Sequence, residues 1–350
     1  MKIGIFALAT CILLGGMAVD DAHAVTRKEA TCTVSNDDDG QQGRTNAINS
    51  IANAFLQDGR VNSDPKFDRL DSIVDEWSSK ACKLLDGRPK LNFLLFGFSK
   101  AFDSESNWEN SLQKVRALRK ARPNSAYPIL AEAQFWYSYA WVARGEGYAS
   151  TVKPEGWSLF RERLAIAEKV LIDNKKIAST LPNWYELMIS VEGSLQRTDE
   201  VRNRTFLEGA QRYKTFLPIY IPRRNLLEPK WGGSWVAVDS FINWAVNNTK
   251  ETEGQSMYAL LYFGVRDNMS DGKSFFANTR VEWPKLKEGF QDLITLHPNS
   301  QWHVNNFAAL ACEANDKPTY LDLRKRIASD SLRITWVRTA QQLCDAKFGR

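Results

Sequence analysis

Apolar side chains recur at three- and four-residue spacing from about residue 44 to the end of the chain. Ile48, Ile51, Ala52 and Phe55 share one helical face, as do Phe67, Leu70, Ile73, Val74 and Trp77. The clearest stretch is 157–172. There Trp157, Phe160, Leu164, Ala167 and Leu171 form an apolar stripe, and Arg161, Glu162, Arg163, Glu168 and Lys169 fall mostly on the other faces. The same period predicts helices over roughly 90–102, 106–121, 126–144, 183–195, 199–215, 235–248, 254–266, 282–295, 301–314, 317–328 and 333–347. Strict alternation, the mark of a half-buried strand, is scarce. The pattern predicts an all-α chain.

Short clusters of turn residues separate these helices, among them Asp86-Gly87-Arg88-Pro89, Arg122-Pro123-Asn124-Ser125, His297-Pro298-Asn299-Ser300 and Asn315-Asp316-Lys317-Pro318. Short turns make sequence neighbours antiparallel packing neighbours. One echo stands out. "RPNSAYPILAEAQFWYSYAW" begins at Arg122 and "HPNSQWHVNNFAALACEAND" at His297. Ala133 and Ala308 each lie ten residues beyond the proline. Val115 or Phe290 lies eight residues before it, and Leu118 or Leu293 five before. This resembles the junction between tetratricopeptide repeats, where a proline ends one helical pair and a small residue lets the next helix pack closely. The expected fold is a single tetratricopeptide-like, antiparallel helical-repeat domain, an α-solenoid, over 44–350. Residues 25–43 read as a polar, irregular lead-in. Its Asp37-Asp38-Asp39-Gly40 run lacks the downstream glutamate of a calcium loop and is expected to be flexible.

The first 24 residues change the picture of compartment. One lysine precedes a mostly apolar run from Ile3 to Val19, and Ala22-His23-Ala24 supplies the small residues read by a signal peptidase. Residues 1–24 are expected to be a secretory signal cut before Val25, with an uncleaved anchor as the alternative. The exported product is expected to be periplasmic or secreted, with no stable membrane span. A net charge of +5 with acidic and basic residues interleaved is a solvated surface, not a nucleic-acid groove. Cys32, Cys82, Cys312 and Cys344 follow the signal, an even count for an oxidising compartment. Three pairings are possible, and proximity favours Cys32–Cys82 and Cys312–Cys344; buried free thiols are the alternative.

Several blocks occur in order: "YAWVARGEGYASTV" (139–152), "GWSLFRERLAIAEKVL" (156–171), "PNWYELM" (182–188), "EPKWGGSW" (228–235) and "PNSQWHVNNFAALACEANDKPTY" (298–320). Together they resemble an uncharacterised bacterial domain-of-unknown-function family of often exported, tetratricopeptide-like proteins, over about residues 85–325. The resemblance implies a helical fold and a bacterial source, and brings no catalytic residue.

Catalytic signatures are scarce. His297 and His303 lack a third ligand at recognisable spacing, and HExxH, GxSxG, P-loop and GxGxxG motifs are missing. No metal or cofactor is expected. A single-glutamate glycan-cleaving site finds its nearest match in Glu105-Ser106, without the accompanying glycine and glutamine motifs. Two blocks remain as candidate ligand sites. Arg144, Glu146 and Tyr148 follow a helix rich in rings, and an arginine fork beside aromatic faces suits a carboxylate or planar ligand. In EPKWGGSW, Pro229 stops a helix, Gly232 and Gly233 turn the chain and Ser234 caps the next helix. The same residues, with Lys230, Trp231 and Trp235, also suit an anion nest at a helix N-terminus. The expected function is binding of a protein or peptide partner through an aromatic-lined groove, by a chain favoured to be monomeric. The alternatives are an envelope immunity or inhibitor protein, and a glycan-cleaving or other hydrolytic enzyme of the envelope.

Overall fold

The computed structural model describes residues 32, 34–58, 66–104, 107–145, 147–267, 269, 275–327 and 341–349. The expected signal peptide and its cleavage point, Glu105-Ser106, Glu146 and the first part of the 333–347 helix lie outside these residues. The described chain is all-α, with seventeen α-helices and no strand. Its N-terminal half contains α1 (Gly40–Asp58), α2 (Asp68–Ser79), α3 (Leu94–Ser104), α4 (Trp108–Ala121), α5 (Ala126–Arg144), α6 (Pro154–Asp173), α7 (Lys175–Ala178) and α8 (Asn183–Ser194). Then come α9 (Asp199–Arg212), α10 (Leu217–Asn225), α11 (Trp235–Glu253), α12 (Ser256–Asp267) and α13 (Phe275–Asn278). The last are α14 (Trp283–Leu296), α15 (Gln301–Glu313), α16 (Lys317–Arg326) and α17 (Gln341–Phe348). None of the described helices is long and apolar enough to cross a membrane.

Two kinds of packing build the solenoid. Sequence neighbours pair, as α4 with α5, α5 with α6, α8 with α9 and α11 with α12. A second set runs α1–α3–α5–α8–α10–α12–α14, each helix touching the next across an intervening partner. That series is a continuous layer, and the intervening helices flank it. This is how helical repeats bury a shared core that no single pair can bury alone. Rings of α3, α4 and α5 pack in that core: Trp108 stacks on Tyr139 at 4.8 Å, and Phe102 meets Phe135 edge-on at 5.5 Å.

The repeated junction is physical. Arg122 ends α4 with φ −132° and ψ 60°, and His297 ends α14 with φ −131° and ψ 65°. In each, the amide of the serine three residues on donates back to that carbonyl, at 3.2 and 3.1 Å. A third copy has no Pro-Asn-Ser. Tyr213 ends α9 with φ −129° and ψ 61°, and the Phe216 amide donates to its carbonyl at 3.0 Å. Ala133 and Ala308 sit fully buried at equivalent positions of the following helices, α5 and α15. In α10 that position is Arg224, and the small residue has moved to the facing helix. A methyl group added at Gly264 of α12 would stand 2.5 Å from the Arg224 guanidinium.

Within the lead-in, residues 34–43 carry more regular structure than their polarity suggests. Asn36–Asp38 form a 3-10 turn and α1 opens at Gly40. Asp39 is buried, because its carboxylate accepts from the Ser300 hydroxyl at 2.7 Å and the Trp302 amide at 2.9 Å. An aspartate 261 residues away in sequence thus helps cap α15. His303 adds a ring-nitrogen hydrogen bond to the Asp86 carbonyl at 2.9 Å. These contacts bring α15 against α1, so the two ends of the solenoid meet. The cysteines pair as proximity favours, Cys32 with Cys82 and Cys312 with Cys344, at Cα separations of 5.4 and 6.0 Å.

Candidate functional site

The continuous layer encloses a cleft of about 410 Å³. Four successive helices of the layer contribute residues one turn apart, so each of these presents one stripe: Phe96 and Ser99 from α3, Gln134 and Tyr137 from α5, Glu186 and Ser190 from α8, and Leu217 and Ile221 from α10. Arg44 of α1, and Asn92 and Phe93 just before α3, complete it. The local reason is clearest in α8. Leu187, Met188, Ile189 and Val191 are buried in the core, which turns Glu186 and Ser190 to the cleft.

Polar groups of the cleft are mostly neutral. Gln134 donates through Nε2 to the Ser99 hydroxyl at 2.8 Å and to the Ser138 hydroxyl at 3.1 Å. Asn183 donates through Nδ2 to the Leu91 carbonyl at 3.0 Å and to Glu186 Oε2 at 3.1 Å. Glu186 remains partly open to the cleft but is surrounded by protein atoms. Burial pushes its carboxyl up to about 8, against the opposing hydrogen bond from Asn183. It makes no ion pair with any described residue. Burial also raises the Tyr137 phenol. Asn92 is 4% exposed, and its Oδ1 has no hydrogen-bond partner among the described residues. Of the lining arginines, Arg88 is paired with Asp86 and lies over Phe93 at 5.3 Å, while the Arg44 guanidinium lies over Phe96 at 5.2 Å.

The residues singled out from the sequence lie elsewhere. Arg144 ends α5 and turns back on the chain, donating to the carbonyls of Gly145 at 2.9 Å and Gly147 at 2.6 Å. Its guanidinium also lies over Trp141 and Trp157, at 5.4 and 5.6 Å. It closes a helix end, and Tyr148 beside it is 85% exposed. In the second block, Gly232 adopts φ +87° and Ser234 caps α11, accepting from the Ala237 amide at 3.1 Å. A methyl group at Gly233 would stand 2.0 Å from the Leu227 carbonyl oxygen. The expected nest is not formed as drawn. The Gly232 amide donates to the Pro229 carbonyl at 3.0 Å, and the Gly233 amide to the Glu228 carbonyl at 3.2 Å. Lys230 pairs with the buried Glu228 at 3.1 Å, Trp231 is 55% exposed and Trp235 packs against the core.

The two histidines do come together, with ring centroids 5.9 Å apart. They belong to the closure of the solenoid. Burial and the neighbouring His303 ring lower His297 to about 4, and burial lowers His303 as well.

Fold and cleft together define an all-α helical-repeat protein with a polar-floored cleft on its continuous layer. Residues 62–170, from the lead into α2 almost to the end of α6, match a family model described as a domain of unknown function (DUF4034). The match contains the Arg144 block, while EPKWGGSW and the 298–320 block fall outside it. None of the curated proteins and none of the solved structures matches the chain. Glu186, Asn92 and Gln134 were not singled out in the sequence. The available signal was Glu186 itself, an acid set within the apolar run "WYELMI".

Proposed function

We propose that this is an exported helical-repeat protein that binds a protein or peptide partner in the cleft of its continuous layer. One observation carries the reading. Successive helices of the layer supply apolar walls and converging polar groups to a single cleft of about 410 Å³, the usual composition of a recognition site. A buried Asn92 oxygen with no partner among the described residues adds an acceptor that a bound peptide can satisfy. The hydrolytic reading is weaker on this geometry. Glu186 is the one carboxylate lining the described cleft, so a two-carboxylate glycosidase has no second group there, and the single-glutamate match at Glu105-Ser106 lies outside the described residues. The inhibitor reading is a special case of partner binding.

The test is selection of peptides from a random dodecapeptide library by the immobilised protein. It is repeated with Ser190→Phe, which fills the cleft, after circular dichroism and melting show that the variant folds. A shared peptide motif selected by wild type and lost by Ser190→Phe is the expected result. An identical set selected by both proteins, or no motif with either, would overturn the reading.

A further inference from the structure

We infer that the cleft takes a basic side chain of the bound peptide, a lysine or an arginine, with the Glu186 carboxylate as its counter-ion. This rests on the cleft being the partner site.

The argument is one of unsatisfied acceptors. Among the described residues Glu186 receives a single hydrogen bond, from Asn183, and no cation. Asn183 ties this carboxyl to the Leu91 carbonyl, and the next residue, Asn92, lines the same cleft. Asn92 Oδ1 is buried and without a hydrogen-bond partner among the described residues. A carboxyl without a cation and an unpartnered amide oxygen therefore line one cleft. An ammonium or guanidinium supplies several donors and a positive charge at once. Tyr137 lines the same space.

The charged and titratable groups that share the cleft with Glu186 are Tyr137 on α5, Arg44 on α1 and Arg88 before α3. The Arg88 charge is matched by Asp86, and Arg44 lies over Phe96. Burial and the Asn183 hydrogen bond, not either arginine, set the state of the Glu186 carboxyl, and attraction between it and a bound cation is strengthened in that poorly solvated space. Because burial raises the Glu186 carboxyl, pairing its carboxylate with a cation is coupled to release of a proton. Affinity then rises with pH until Glu186 ionises unaided, near pH 8.

The probes are Nα-acetyl-arginine methylamide, its neutral citrulline counterpart and Nα-acetyl-glutamate methylamide, titrated calorimetrically from pH 5.5 to 8.5. The arginine probe is expected to bind at least about tenfold more tightly than citrulline. Its affinity is expected to rise towards tenfold per pH unit below pH 7.5 and then level off, as a single proton release requires. Glu186→Gln should flatten that slope. The wild-type slope stands as a test by itself should the variant not fold. Equal binding of arginine and citrulline, preferential binding of glutamate, a flat wild-type profile, or an unchanged slope in a folded Glu186→Gln would each overturn the inference. Peptides selected by wild type, lost by Ser190→Phe, yet free of any basic residue would sink the inference and leave partner binding standing.

Discussion

Arg224 is the bulkiest fully buried side chain among the described residues, 1% exposed. It is accommodated because Gly264 leaves room, the Leu261 carbonyl accepts from Nη1 at 2.7 Å, and Glu228 lies 3.7 Å away. Removing one partner of a buried pair strands the other charge. Arg224→Ala is therefore expected to cost about 3–5 kcal/mol in urea unfolding, and Glu228→Gln in the same chain should recover part of it. Lys230 is the outer partner of that same glutamate and is half exposed, at 51% of its side chain. Solvent screening limits what it contributes, so Lys230→Ala should change stability by about 1 kcal/mol or less. It should leave peptide selection by the cleft unchanged. Loss of the selected motif in a stably folded Lys230→Ala would return EPKWGGSW to candidacy as a site.

Most helices announce themselves in the chain because their signals are local. Helix α5 spans Ala126–Arg144, the extent expected from periodicity, since Pro123 and Gly145 bracket it. Helix α10 escaped notice because Pro218 and Pro222 lie within Leu217–Asn225. Proline is tolerated in a first turn, where no amide partner is needed, but it obscures the pattern that marks a helix. That omission hid one wall of the cleft and the third copy of the repeat junction. At the other end, α15 depends on a cap from outside. Asp39→Ala is expected to cost about 1–2 kcal/mol. It should also speed hydrogen exchange at the first-turn amides of α15 and spare those of α5. The Cys312–Cys344 bond joins α15 to α17 across 32 residues. Its removal by paired alanine substitution should cost about 3–4 kcal/mol on loop-entropy grounds, read from the shift in urea midpoint.

For the molecule as a whole, buried titratable groups set the pH range of stability. Burial raises Glu186 to about 8 and Glu192 to about 7, both from an ordinary 4.5. Folding therefore favours their protonated forms. Their contribution is complete below about pH 4.5 and is lost as pH rises through 7 and 8. His297 and His303 act in the opposite sense. Their lowered values mean that stability is lost as pH falls from about 6.5 towards 4, where His297 titrates. Melting temperature should therefore decline on both sides, and Glu186→Gln should flatten the alkaline limb only. An alkaline limb unchanged in Glu186→Gln would show that this carboxyl is solvated in the folded protein.

The chain by itself determined the helical class, most helix boundaries, the two repeated junctions and the favoured cysteine pairing. Each of these rests on residues within a few turns of one another, or on loops short enough to close easily. Tertiary structure alone decided the cleft, the isolation of Glu186 and the capping of α15 by Asp39. Those features join positions 91 with 183 and 39 with 300, and the burial that alters a carboxyl exists only once distant helices have packed around it. The glycines and tryptophans of EPKWGGSW drew attention because rare residues are conspicuous in a sequence. An ordinary glutamate in α8 acquires its chemistry only from what surrounds it.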